Sequence, residues 1–409
     1  MKVLITDVAL TPYAHAYYKK LALRGCDIIL LLPEDGKDVG KNVKEYKGVE
    51  CPYKVSYSPV KRMWYGKRSL ASLKKYLIKE RPNVLVLVWP YYLNLYFDRT
   101  IFHVMAKNKT RLVIREIPFQ VPPFGEMDYF IQHPVYDEDM NLLSAGFLFK
   151  IRAWLMMYIR RFIYQKTDAY IGYYSQAKEI LRSYGLRETA FFYGNTTDTD
   201  SLFSIQKQLI NMPSRLKKKQ RILHIGRLVK WKKVDLLILA FNLIAKKHQD
   251  CELVIVGEGP EKKRLIKMAA DLGISDKILF TGAVYDLIKL GQYMRESSLY
   301  VLAGMGGLSI NDAMCFSLPI VCSVCDGTER DLLLDGENGY FFREDDVDDL
   351  VQKIDLILSD PSKAVEMGRK SLQIIRENAN LNSFTNMYIE ALYHAIGRIG
   401  RDKLIRRQR

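Results

Sequence analysis

Along this chain, short continuous apolar runs alternate with stretches in which apolar residues recur every three or four positions. The runs at 3–8, 27–32, 84–88, 112–114, 169–173 and 189–193 predict buried strands. The stretches at 12–24, 69–80, 99–107, 147–166 and 175–184 predict helices. Strands and helices in strict alternation build βαβ units and a parallel sheet, so the expected class is α/β. The polar, basic stretch 204–220 breaks the rhythm and has the composition of an interdomain connection. A second series begins at Arg221, with strands predicted at 222–225, 253–256, 278–280, 299–302 and 318–322. Helices are predicted from 233 to about 247, up to about 272, from Leu308, and at 346–358, 362–377 and 383–398. The organisation expected is a first domain at 1–203, a linker at 204–220 and a second domain at 221–382.

At 409 residues and 48% hydrophobic, the chain is long enough to bury two cores. No run of eighteen uncharged apolar residues occurs, and the first residues enter a strand without a cleavable signal pattern, so a cytoplasmic location is expected. The turn at 6–15 lacks the paired glycines of a dinucleotide fingerprint, which argues against a nicotinamide or flavin cofactor. Of six cysteines only Cys322 and Cys325 are spaced as a Cys-x-x-Cys pair. Zinc needs a second pair, so buried thiols and no metal are expected.

Charge changes the picture. The net charge is +16, and residues 54–81 hold nine Lys or Arg against Glu80 alone, interleaved with Tyr57, Trp64, Tyr65 and Tyr76. Such a patch seeks anions, and nucleic acid, acidic phospholipid and a diphosphate-linked lipid all satisfy it, with a solvated helix face as the plain alternative. Lys61, Arg62, Trp64, Lys67 and Arg68 are its candidate membrane-surface residues, by which a cytoplasmic protein would sit peripherally at the inner face of the plasma membrane. No nucleic-acid-binding motif accompanies the charge, so no nucleic-acid partner is expected. In the helix at 147–166, Phe147, Ile151, Trp154, Tyr158 and Phe162 form one stripe among Lys150, Arg152, Arg160, Arg161 and Lys166; core packing is the expectation, with a membrane-surface role behind it.

Candidate chemistry gathers where strands end. After 299–302 come Ala303, Gly304, Gly306 and Gly307 and then a helical pattern from Leu308, a turn that brings backbone amides close to a phosphate. After 222–225 comes Gly226-Arg-Leu-Val-Lys-Trp-Lys-Lys233, where Arg227 and Lys232 are two cations at a strand mouth, suited to a diphosphate. Glu116, just past the strand at 112–114, either orients an acceptor hydroxyl or faces water.

The stretch Gly304-Met-Gly-Gly-Leu308, then three residues, Asp312-Ala-Met314, then Ser317-Leu-Pro-Ile320, resembles the retaining nucleotide-sugar glycosyltransferases of GT-B family 4. Their pattern there is Glu-Gly-Phe-Gly-Leu, three residues, Glu-Ala-Met and Gly-x-Pro-Val. The segment from Gly226 to Lys233 resembles the family's Gly-Arg-Leu, three residues, Lys-Gly. The resemblance implies a GT-B fold, with two Rossmann-like domains whose parallel sheets face across a cleft and a last helix, about 383–409, crossing back to the first domain. It implies transfer of a sugar from a nucleotide diphosphate sugar, the co-substrate, to a glycan or lipid-linked acceptor, with no cofactor. Arg227 and Lys232 would offset leaving-group charge, and Gly226, Gly282, Val284, Gly304, Gly306, Gly307, Leu308 and Asp312 would bind donor. The family's first glutamate falls on Gly304, its second is shortened to Asp312, the final glycine is Lys233, and the first-domain histidine is absent. Two further readings stay open: a nucleotide-binding subunit that has lost transfer, and a sugar-nucleotide epimerase, which would need clustered histidines that His15, His103, His133, His224, His248 and His394 do not form.

Overall fold

A computed structural model describes residues 1–36, 50–63, 66–117, 121–136, 141–144, 146–210, 220–324 and 327–397. The chain folds into two compact units. One holds residues 1–135, 143–194 and those from Leu381 on; the other holds Asn195–Asn380 with a short piece at 136–142.

The first unit has strands β1 (Lys2–Thr6), β2 (Asp27–Pro33), β3 (Lys54–Ser58), β4 (Val60–Arg62), β5 (Arg68–Leu70), β6 (Val84–Val88), β7 (Arg111–Arg115), β8 (Ala169–Gly172) and β9 (Phe191–Tyr193). Seven of them form a sheet in the order β3-β2-β1-β6-β7-β8-β9, parallel throughout. Its strands are apolar at consecutive positions because both faces are covered. Leu4, Leu85, Leu112 and Ile114 enter one core, and Val3, Ile5, Val84, Val86 and Val113 enter the other, as the two-residue period of a strand requires. The helix Leu381–Ala395 packs into the second of these cores through Leu381, Tyr388, Ile389 and Leu392, and Arg24 Nη2 donates to Asn382 Oδ1 at 2.9 Å.

The second unit has β10 (Arg221–Ile225), β11 (Glu252–Val256), β12 (Ile278–Gly282), β13 (Leu299–Leu302), β14 (Ile320–Cys322) and β15 (Gly339–Phe341). They pair in the order β12-β11-β10-β13-β14-β15, again all parallel. The order reverses direction between β10 and β13, which opens a crevice at their carboxyl ends.

Three expectations are corrected. Residues 204–210, expected in a linker, belong to the helix Thr199–Ile210, whose Leu202 and Leu209 are buried in the second unit's core; 211–219 lie outside the described residues. The basic stretch at 54–81 is not one helix face. It supplies the edge strand β3 and the antiparallel hairpin β4–β5 before the helix Leu73–Glu80. Trp64 and Tyr65 of that stretch lie outside the described residues. Of the stripe on Phe147–Tyr164 only Phe162 packs against a core: Phe147 is 76% exposed, and Leu148, Ile151, Trp154, Leu155 and Tyr158 are exposed with it. The helix instead buries Met157, Ile163 and Tyr164 on its other face.

Candidate functional site

Three loops leave the carboxyl ends of β10, β11 and β13 and interlock. Gly226 N donates to Val256 O at 3.0 Å, Leu228 N to Glu258 O at 3.0 Å and Met305 N to Trp231 O at 2.8 Å. The fit is too close for side chains at three glycines, Gly257, Gly259 and Gly304. A Cβ on Gly257 would lie 1.8 Å from Gly226 O, and one on Gly304 would lie 2.2 Å from Trp231 O and 2.5 Å from the Lys232 carbonyl carbon. Gly304 therefore does more than lack a carboxylate: the backbone of Trp231 and Lys232 occupies the space where a side chain would start. Gly304→Glu is expected to destabilise the protein by about 1–3 kcal/mol, as overpacking does, without raising any sugar-transfer rate. A melting temperature equal to that of the unsubstituted protein would show that this loop yields.

This packing brings Arg227, Lys232 and the glycine loop together. Lys232 Nζ donates to Met305 O at 2.7 Å and to Gly306 O at 2.5 Å, so the ammonium is fixed beneath the loop. Gly307 is its neighbour, since a Cβ there would lie 3.3 Å from Nζ. Arg227 stands over the Trp231 ring at 5.9 Å. Its Nε is buried without a hydrogen-bond partner, and among the described residues no acid pairs with the guanidinium. Lys233 adopts left-handed backbone, φ 48°, where the resembled family has glycine, and its ammonium is held by Glu344 and Asp345 at 2.8 Å each.

Asp312 lies on the helix Ser309–Cys315, which follows the glycine loop. Its Oδ1 is buried without a partner. Burial pushes the carboxyl up to about 7; a bond from Thr197 lowers it and the charge of Asp198 raises it. Asp312 is therefore not a water-facing first-turn residue. A raised acid contributes stability that is full below about pH 3.8 and is lost as pH rises through 7. Asp312→Asn is thus expected to raise the melting temperature by several degrees at pH 8 and to leave it unchanged near pH 4. Equal shifts at both pH values would contradict the burial.

His224 was not singled out from sequence. It is buried, and its Nδ1 bonds Val301 O at 3.0 Å, while Nε2 has no partner and would lie 3.2 Å from a Cβ on Gly226. Burial holds the ring down at about 4, so it is neutral. Beside it Tyr300 shares a 2.7 Å hydrogen bond with Ser309 Oγ. Both residues occupy strand positions of ordinary pattern, and nothing local marked them. Gly282 O accepts from Gly257 N at 2.9 Å, which ties the β12 loop to this cluster; Val284 packs at the margin of the second unit's core. Among the described residues no group of His, Cys, Asp and Glu is placed to hold a metal ion; Cys322 is buried, and Cys325 lies outside the described residues. A cavity of about 750 Å³ opens elsewhere, lined by Gln220, Asp250, Ser298 and Pro319, which precede the strands.

Glu116 belongs to the first unit and does not face water. It is 6% exposed. Tyr92 donates to Oε1 at 2.7 Å, Tyr164 and Tyr170 donate to Oε2 at 2.5 and 3.3 Å, and Arg160 pairs with Oε1 at 3.4 Å. Burial holds the three phenols well above their ordinary value, so each keeps the proton it donates. Lys61, Arg62, Lys67 and Arg68 are on the β4–β5 hairpin and its turn, also in the first unit.

Residues 206–373 match the family model "Glycosyl transferases group 1". An uncharacterized glycosyltransferase of Haemophilus influenzae is 32% identical over 153 residues, 37% of this chain and 42% of its own. The poly(ribitol-phosphate) alpha-N-acetylglucosaminyltransferase of Staphylococcus aureus is 27% identical over 198 residues, 48% of this chain and 40% of its own. The chain thus matches about two-fifths of the length of these relatives. The crystal structure of Anabaena HepE in complex with UDP superposes with a TM-score of 0.65 at 16% identity, covering 96% of this chain and 99% of that one.

Proposed function

We propose, on the premise that this chain is a GT-B protein whose residues 206–373 form a glycosyl transferases group 1 domain, that it moves a sugar from a nucleotide diphosphate sugar to a glycan or lipid-linked acceptor of the cell envelope. The observation that carries this reading is Arg227, a cation without an acid, beside Lys232 pinned under the glycine loop. Breaking the bond between the sugar and the diphosphate builds negative charge on the leaving oxygens. Two preorganised cations, with the amides of Gly306, Gly307 and Leu308, offset that charge where it develops. Asp312, half-buried with a buried and unpartnered Oδ1, accepts from the donor ribose. The S. aureus relative's poly(ribitol-phosphate) acceptor and the UDP bound by HepE support an envelope acceptor and a nucleotide donor. Retention of the anomeric configuration is part of the proposal and is read from the product's anomeric proton by NMR.

The test is a panel of UDP-, GDP-, ADP- and dTDP-sugars, scored by thermal shift and by release of nucleoside diphosphate. Stabilisation by one base with slow hydrolysis is expected; no shift with any nucleotide overturns the reading. One observation favours a second reading, a nucleotide-binding subunit without turnover: the backbone that crowds Gly304 leaves no room for the family's carboxylate. It predicts the shift without the release, in the presence of any acceptor.

A further inference from the structure

The helix Phe147–Tyr164 is laid out for a boundary between water and an apolar phase. At 3.6 residues per turn, Phe147, Leu148, Ile151, Trp154, Leu155 and Tyr158 fall within an arc of about 120°, and all six are exposed. The opposite face carries the buried Met157, Ile163 and Tyr164 that fasten the helix to its unit. Cations border the arc on both sides: by the same helical geometry Lys150 and Arg161 flank one edge and Arg152 the other. No acidic residue occurs anywhere from 147 to 166. No helix of the described residues is long and apolar enough to cross a membrane, and this one has four Lys or Arg in eighteen residues.

The basic hairpin meets this helix. Trp89, after β6, has Lys67 Nζ 5.3 Å from its ring and the Arg160 guanidinium 4.8 Å from it. Burial, then the charges of Arg160 and Arg152, hold the Lys67 ammonium below its ordinary value. Arg160 lies on the buried side of the helix, where Glu116 answers it, whereas Lys67 and Arg152, which stand near each other beyond one edge of the apolar arc, have no acid paired with them among the described residues. Such a group lacks an anion, and a phosphate supplies it.

We infer that the exposed face of Phe147–Tyr164, with Lys67 and Arg152 at its border, seats this protein on an anionic phospholipid bilayer. The apolar arc enters the headgroup and acyl boundary, the flanking cations reach back to lipid phosphates, and Trp154 and Tyr158 lie at headgroup level. A second copy of the chain is the poorer occupant, because two such faces would bring like charges together without an acid between them. The surface is distinct from the β10 and β13 loops, so this inference stands or falls apart from the sugar-transfer reading.

The experiment uses the full chain with vesicles of phosphatidylcholine alone or with 30% phosphatidylglycerol, chosen as a probe of roughly physiological anionic content. Sedimentation is expected to show binding to the anionic vesicles that is lost at about 1 M salt, where the Debye length is near 3 Å. Leu148→Ser with Trp154→Ser should lower the partition coefficient about tenfold or more. Lys67→Glu with Arg152→Glu should abolish the preference for anionic lipid. Both pairs leave exposed positions, so circular dichroism spectra and melting temperatures without nucleotide should match the unsubstituted protein and certify folding. Three outcomes overturn the inference: no binding at low salt, equal binding to both vesicles, or undiminished binding by the serine pair. A concentration-dependent dimer in sedimentation equilibrium that the serine pair dissolves also overturns it, and gives the face to a second copy.

Discussion

Arg227→Ala is expected to reduce sugar transfer, and with it nucleoside diphosphate affinity, by about ten- to a thousandfold, the range for loss of one preorganised charge donor. The guanidinium has a buried Nε without a partner and no acidic neighbour, so its removal exposes no orphan acid and should cost little stability. Lys232→Ala should match it in rate but differ in melting temperature. The Lys232 ammonium also ties Met305 O and Gly306 O, and two carbonyls lose their donor when it goes. Calorimetric titration with the nucleoside diphosphate identified by the panel, and steady-state rates of its release, check both variants. Unchanged affinity and rate in both would remove the diphosphate from these loops. Asp312→Ala should separate from them by raising the apparent donor Michaelis constant more than it lowers turnover, as loss of uniform binding does.

Glu116→Ala is expected to cost about 3–5 kcal/mol of stability, the range for removing one partner of a buried ion pair. The loss has a clear source. Arg160 would keep its charge with 12% of its side chain exposed, and the hydroxyls of Tyr92 and Tyr164 would lose the carboxylate they donate to. Denaturant unfolding measures it. The same substitution decides what the carboxylate is for. Full stability with lost turnover would return Glu116 to the orienting of an acceptor hydroxyl, whereas lost stability with an intact nucleotide thermal shift places its work in holding the first unit. Glu116→Gln keeps the shape and sharpens the contrast, because its amide oxygen still accepts on one side, while its NH2 cannot accept from the phenols on the other and Arg160 loses its counter-charge.

Much of this fold was legible in the order of residues. Parallel strands covered on both faces must be apolar at consecutive positions, so Val84–Val88 and Leu299–Leu302 were readable to the residue. Helices with one buried stripe announced themselves by period. Edge and irregular elements were not legible: β3 carries Lys54 and an exposed Tyr57 at the sheet margin, and β15 is three residues reached through a turn. The basic loop after β10 was likewise readable, since its glycine, arginine and lysine are contiguous and their chemistry is local.

What only tertiary structure decided is where each side chain ends up when distant segments meet. Composition could not say that Phe147–Tyr164 turns its larger apolar stripe outward, because a 3.6-residue period shows that a face exists and not what covers it. Nor could it say that Glu116 is buried under three tyrosines drawn from residues 92, 164 and 170. The glycine at 304 shows the division within one residue. Its lack of a carboxylate is plain in the sequence, and the reason a carboxylate does not fit is the backbone of Trp231 and Lys232, seventy residues away in the chain and within van der Waals distance in space.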